Sequence, residues 1–140
     1  ARGLPEVGFV ESYRRFAKSL IAMGSGAGQD RPAGLEIEIV ALSNPYTDDL
    51  SEGMAVQVLL NAAPRADVQV EVFSRPAGTK EPAGIQLYRT DADGIARFPV
   101  RTGHDYMIDN VALRPVEPTN TDDPVWHSLW ANLTFAVPAD

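Results

Sequence analysis

His104, Asp105, Asp109 and His127 are the residues whose types could do chemistry together. Imidazole nitrogen and carboxylate oxygen form a ligand set that suits nickel, cobalt, zinc or copper. The two histidines stand at no short spacing that would put both on one turn or one strand face, so any site has to be assembled across strands. His104, Asp109 and His127 are the candidate metal ligands on this basis. The alternative is structural: His104 belongs to the turn after Gly103, and His127 shares the parity of Leu129 on a strand.

Catalytic groups are harder to assemble. The chain has no cysteine, which excludes thiol nucleophiles and thiolate metal sites. His127 and Ser128 are neighbours, so on a strand they point to opposite faces and cannot work as base and nucleophile. Asp48-Asp49 and Asp122-Asp123 sit among turn residues, where carboxylates are solvated, whereas general acid work needs one of them buried. Asp91-Ala-Asp-Gly94 opens like a calcium loop but lacks the later oxygen ligands and the closing glutamate. The chain therefore reads as non-enzymatic. A hydrolase would require a cleft with a buried carboxylate or histidine that no spacing here demands.

Trp126 and Trp130 fall on the opposite parity from Leu129, Ala131, Leu133, Phe135 and Val137, together with Ser128, Asn132 and Thr134. Two indoles on a nominally polar face require cover. An amphipathic helix could supply it; otherwise the pair is a partner or ligand surface, such as a platform for stacking a sugar.

The elements that must position these residues are mostly strands. From residue 34 the apolar period is two: Leu35, Ile37, Ile39 and Ala41; Val56, Val58 and Leu60; Val68, Val70 and Val72; then Tyr106 to Leu113 and the row ending at Val137. Ile85 to Val100 reads as a β-hairpin around Asp91-Ala-Asp-Gly94, whose residues tolerate a left-handed backbone. About seven strands separated by turn residues predict an all-β antiparallel sandwich, immunoglobulin-like in spacing. Arg114 to Val125 holds three prolines and three acids and reads as a mobile connection.

Residues 8–23 carry the other period. Phe9, Tyr13, Phe16 and Leu20, with Val10, Ala17 and Ile21, make one helical stripe opposite Glu11, Arg14, Arg15 and Lys18, and Gly24 is the expected stop. The spacing predicts one N-terminal amphipathic helix. Gly24 to Pro32 is a flexible linker by composition; its glycines follow a helix and precede a strand, the reverse of a phosphate-binding loop. The expected organisation is a helix-plus-linker over 1–33, packed on a sandwich over 34–140.

At 140 residues, one domain with one core is the default. The net charge of −7 argues against nucleic acid or an anionic membrane surface as partner. No apolar run approaches the roughly 20 residues that span a bilayer, and the chain is not expected to be membrane-embedded. It opens with Ala1-Arg2 and not with Met, as a processed or excised piece would.

Glu11-Ser-Tyr-Arg-Arg-Phe-Ala-Lys-Ser-Leu20, Leu35-Glu-Ile-Glu-Ile-Val-Ala-Leu-Ser-Asn-Pro-Tyr46, Thr90-Asp-Ala-Asp-Gly94 with Phe98-Pro99, and Trp126-His-Ser-Leu-Trp-Ala-Asn-Leu-Thr-Phe135 occur in order across nearly the whole chain. This set resembles the C-terminal half of a bacterial periplasmic family of unknown function. Its members are often labelled the periplasmic component of an ABC-type cobalt transport system, or nickel-uptake-like proteins. The resemblance implies an exported, periplasmic protein with an N-terminal β domain outside this sequence, and a C-terminal sandwich similar to transthyretin-like and carboxypeptidase-regulatory modules. It further implies an accessory or binding role in cobalt or nickel uptake, with a divalent transition metal as cofactor and a membrane transporter component as partner. His104 stands where family members often have histidine; at position 127 they often carry an acid, so His127 departs from the pattern. A protein-protein or carbohydrate interaction module with no metal role is the alternative.

Overall fold

The computed structural model describes residues 8–139. Nine strands follow in chain order: β1 Glu11–Ser19, β2 Ile37–Ala41, β3 Met54–Leu60, β4 Ala63–Pro64, β5 Gln69–Pro76, β6 Gly84–Arg89, β7 Ile95–Phe98, β8 His104–Pro115 and β9 Trp126–Val137. Five make one sheet in the order β1-β9-β8-β5-β6; in the other, β3 pairs with β2, β4 and β7. The period-two rows explain the layering. Val70, Val72, Ile108, Leu129, Leu133 and Phe135 from the first sheet meet Ile37, Ile39, Met54, Val56, Val58 and Phe98 from the second in one core. Complete burial of side chains such as Leu129 and Leu133 contributes about 1.5–3 kcal/mol each. The sheets are stacked in a sandwich-like arrangement, not closed on themselves.

All the strands expected after residue 34 are present, but four expectations are corrected. The first is the helix: no helix forms among the described residues, so none is long and apolar enough to cross a membrane. The stripe over 8–23 instead yields β1, which runs parallel to β9 from Glu11 opposite Trp126 to Ser19 opposite Thr134. The same residues also alternate: Ser12, Phe16, Lys18 and Leu20 are partly buried while Glu11, Tyr13, Arg15 and Ala17 are exposed. Phe16 and Leu20 pack against the core. A continuous ladder satisfies the outer edge of β9, which a helix laid on the sheet would leave open.

Ala17 provides a direct check. Ala17→Val is expected to raise stability by about 0.5 kcal/mol, because a β-branched side chain suits an exposed strand position. In a helix it would lower it by a similar amount. The urea midpoint decides the sign.

The second correction is that the sheet is mixed, since β1 and β9 are parallel. The third concerns the hairpin. The Asp91 carboxylate accepts the N–H groups of Asp93 and Ile95 at 2.9 Å each, so the turn forms. Its two arms nevertheless join different sheets: β6 pairs with β5, and β7 pairs with β3. The chain crosses at buried Thr90, whose hydroxyl donates to the Arg65 carbonyl at 2.6 Å and accepts the Val68 N–H at 3.0 Å. The fourth is the linker. Asn44 Nδ2 donates to the carbonyls of Gly26 and Gly28, and the Asp30 carboxylate accepts both the Ala41 N–H and the Lys18 ammonium. Glycine composition permits the path; these bonds fix it along the edge of β2.

Candidate functional site

The register of the five-stranded sheet places its outward residues in rows. One row runs Arg15, Trp130, Val111; the next runs Ala17, Asn132, Asp109, Glu71, Leu87; a third runs Ser19, Thr134, Met107, Phe73, Ile85. Alternation alone puts all these side chains on the face away from the core.

At the β1-β9 end the Arg15 guanidinium carbon lies 5.1 Å from the Trp130 ring centre and 5.6 Å from that of Tyr13. Stacking on two rings holds the guanidinium by cation-π attraction while leaving its edge N–H groups free in direction. Trp130 Nε1 donates to Ser128 Oγ at 2.9 Å, and that hydroxyl donates to the Glu11 carboxylate. The indole is therefore fixed from both its ring face and its edge. Tyr13 is 65% exposed. Trp126 and Trp130 are half-buried on this same face. Strand β1 provides the cover that a helix was expected to give.

Asp109, beside this cluster, is buried and accepts a hydrogen bond from Asn132 Nδ2 at 2.9 Å. Burial, with the Glu71 charge adding to it, pushes its carboxyl above the usual carboxylate range against the Asn110 backbone N–H and the pull of Arg15. A group whose pKa rises on folding costs stability at neutral pH and costs less as the pH falls towards its unfolded value. Asp109→Asn is therefore expected to stabilise the protein at pH 7 by on the order of 1 kcal/mol, the scale of an imperfectly repaid charge desolvation. The gain should shrink at pH 4, as read from thermal midpoints at the two pH values.

Next to Asp109 the face dips into a groove of about 550 Å³ lined by Phe73, Met107, Thr134 and Ala136, with Arg75 and Asp105 at its rim. The apolar row Met107, Phe73, Ile85 thus runs out to β6, separated from the aromatic cluster by the polar row Asn132, Asp109, Glu71.

The candidate metal ligands are not brought together. His104 stands opposite Val137 and His127 opposite Arg114, at the two ends of the β8-β9 ladder, a separation of roughly 30 Å at about 3.3 Å per residue. Metal bonds of about 2 Å cannot bridge it. Asp109 lies between them on the other face. His104 Nδ1 is 2.9 Å from the Thr102 carbonyl oxygen, and His127 Nδ1 is 2.8 Å from Ser12 Oγ, a contact that clasps β9 to β1. Among the described residues, no three His, Asp or Glu side chains form a group that could hold a metal ion. What sequence reasoning missed is β1's contribution, Tyr13 and Arg15. Their alternation with Phe16 and Leu20 was the available signal, masked by an equally good helical period.

Comparison with known proteins adds one finding: a family described as a domain of unknown function, DUF4198, matches residues 5–112. No curated protein and no solved structure matches the chain.

Proposed function

We propose that this chain, which belongs to the DUF4198 family of domains of unknown function, is a non-catalytic docking module that binds a protein partner through the outer face of its five-stranded sheet. The observation that carries this reading is Arg15 held between Tyr13 and Trp130. Tyr, Trp and Arg are the residues that dominate interface energies, and here they are ordered before any partner arrives, which lowers the entropic cost of binding. A sugar would need the ring face of Trp130 that Arg15 already covers, so the protein reading is preferred to the carbohydrate one. The accessory role in periplasmic cobalt or nickel uptake fits as docking to a transporter component or to another domain of the same protein. The metal would then be carried elsewhere than on His104, Asp109 and His127.

The test is photo-crosslinking in the native cell from p-benzoylphenylalanine at position 13, with position 63 on the other sheet as control. A discrete protein adduct at 13, absent at 63 and lost with Arg15→Ala plus Trp130→Ala, is expected. An adduct indifferent to those substitutions overturns the reading. So does stoichiometric nickel or cobalt binding that disappears in His104→Ala plus His127→Ala.

A further inference from the structure

A sandwich with open sheets must protect its edge strands, because each presents unpaired backbone N–H and C=O groups to any other extended chain. Four edges here carry recognisable protection. Strand β1 bears Glu11, Arg14, Arg15 and Lys18. Along β2, Asp30 accepts the Ala41 N–H, and the segment 33–35 is tied to the Glu38 carboxylate. Strand β4 is two residues long and ends in Pro64, and β7 is only four residues long.

Strand β6 carries no such device. Its sequence is Gly84-Ile-Gln-Leu-Tyr-Arg89, with no proline or lysine and a single charge at its end. It is the terminal strand of its sheet, paired on one side with β5. Ile85 and Leu87 are 58% and 61% exposed on the outer face. This composition favours strand pairing and exposes large apolar groups next to an unused hydrogen-bonding edge.

We infer that β6 is a homodimerisation edge: β6 of a second copy adds antiparallel to it, joining the two five-stranded sheets into one. The chemistry that recognises the partner is the backbone ladder itself, and the side chains select the register. With Ile85 opposite Ile85 of the other copy, the row Met107, Phe73, Ile85 continues through the dyad into its own image. The same register carries the pairing into residues 81–83 before β6, setting Leu87 against Ala83 of the other copy and Arg89, already paired with Asp67 of its own chain at 2.7 Å, against its Glu81. An antiparallel two-fold contact of this kind is self-complementary and closed, so it stops at a dimer. The inference is independent of the docking proposal, which uses the opposite, β1-β9 end of the face.

The test uses sedimentation velocity of the full chain over micromolar to roughly 100 µM concentrations, since a single added strand pair buries less than a standard interface of about 1,600 Å². A concentration-dependent dimer is expected, and Leu87→Lys, which puts a cation on the edge, should return the monomer with an unchanged thermal midpoint. The cysteine-free chain allows a register test. Ile85→Cys should form an interchain disulfide on mild oxidation, because opposed strand residues are about 4.5–5.5 Å apart at Cα. Leu87→Cys should not, because four residues of offset separate the two thiols by about 13 Å. A chain monomeric throughout the range, a dimer insensitive to Leu87→Lys, or a disulfide from position 87 and not from 85 would each overturn the inference. So would a monomeric chain whose β6 instead captures a foreign extended peptide.

Discussion

Glu38→Ala is expected to cost about 3–5 kcal/mol, the range for removing one partner of a buried ion pair. The Glu38 side chain is 2% exposed and that of Lys18 15%, and the ammonium lies 3.0 Å from Glu38 Oε1 and 2.8 Å from Asp30 Oδ2. Lys18 comes from β1 in one sheet and Glu38 from β2 in the other, so the pair joins the two layers at their edge. The carboxylate also accepts the N–H groups of Ala33 at 2.6 Å, Gly34 at 3.2 Å and Leu35 at 3.4 Å. Truncation therefore leaves a nearly buried ammonium with less compensation and three backbone donors without their acceptor. Chemical denaturation should show the full loss. Because the groups act as one network, Lys18→Met combined with Glu38→Ala should cost clearly less than the two single losses added together.

The same carboxylate makes a pH prediction. Burial alone would raise its pKa, but the Ala33 N–H and the Lys18 ammonium outweigh that and hold it below the usual range. A group whose pKa falls on folding stabilises the protein above its unfolded value, about 4.3 for glutamate, and loses that contribution as the pH drops through the folded value. Glu38→Gln should thus flatten the acid limb of the stability profile below about pH 4.3 while lowering the plateau near neutrality. A mutant profile parallel to the parent below pH 4 would show that Glu38 does not carry that limb.

Gly94→Ala is the second large effect, expected at about 3 kcal/mol or more. Gly94 has a φ of +72°, and an added Cβ would lie 2.9 Å from both the Arg65 nitrogen and the Val58 oxygen. Both atoms are backbone, held by the Arg65 N–H to Val58 carbonyl bond of 2.9 Å, while the Val58 N–H donates to the Gly94 carbonyl at 2.8 Å. Neither can move without opening the side of β3 where β4 and β7 pair with it. Gly78 supplies the control: its φ is +74° and nothing lies within 4 Å of its added Cβ. Gly78→Ala should cost only the left-handed backbone penalty of about 1–2 kcal/mol. The difference between the two measures the collision alone, and equal losses would mean that the turn relaxes freely.

These residues also mark what could be read in advance. The Asp91 to Gly94 turn was legible because Asp and Gly at those spacings satisfy a local hydrogen-bonding and φ requirement. Its destination was not. A tight turn is compatible with a hairpin or with a crossing between layers, and the choice rests on Thr90 and Gly94 meeting Arg65, Val68 and Val58, contacts made only in the folded sandwich. The Glu38 network was illegible for a similar reason: its position within an alternating strand suggested solvent, until the 30–35 segment returned across β2.

By itself, the sequence determined the all-β class, the strands after residue 34 and the inward rows of β2, β3, β5 and β9. Period-two alternation is a local property that burial of one face enforces directly. It also determined that Trp126 and Trp130 lie off the core. The tertiary structure alone decided that residues 11–19 extend, because Phe16 and Leu20 satisfy a strand and a helix equally and only the open edge of β9 breaks the tie. It decided that His104 and His127 lie far apart, since register across a long ladder separates residues that parity alone leaves free to meet. And it decided that Arg15 stacks on Trp130: the two are almost a chain length apart, and their contact exists only once parallel pairing fixes which residues of β1 and β9 stand side by side.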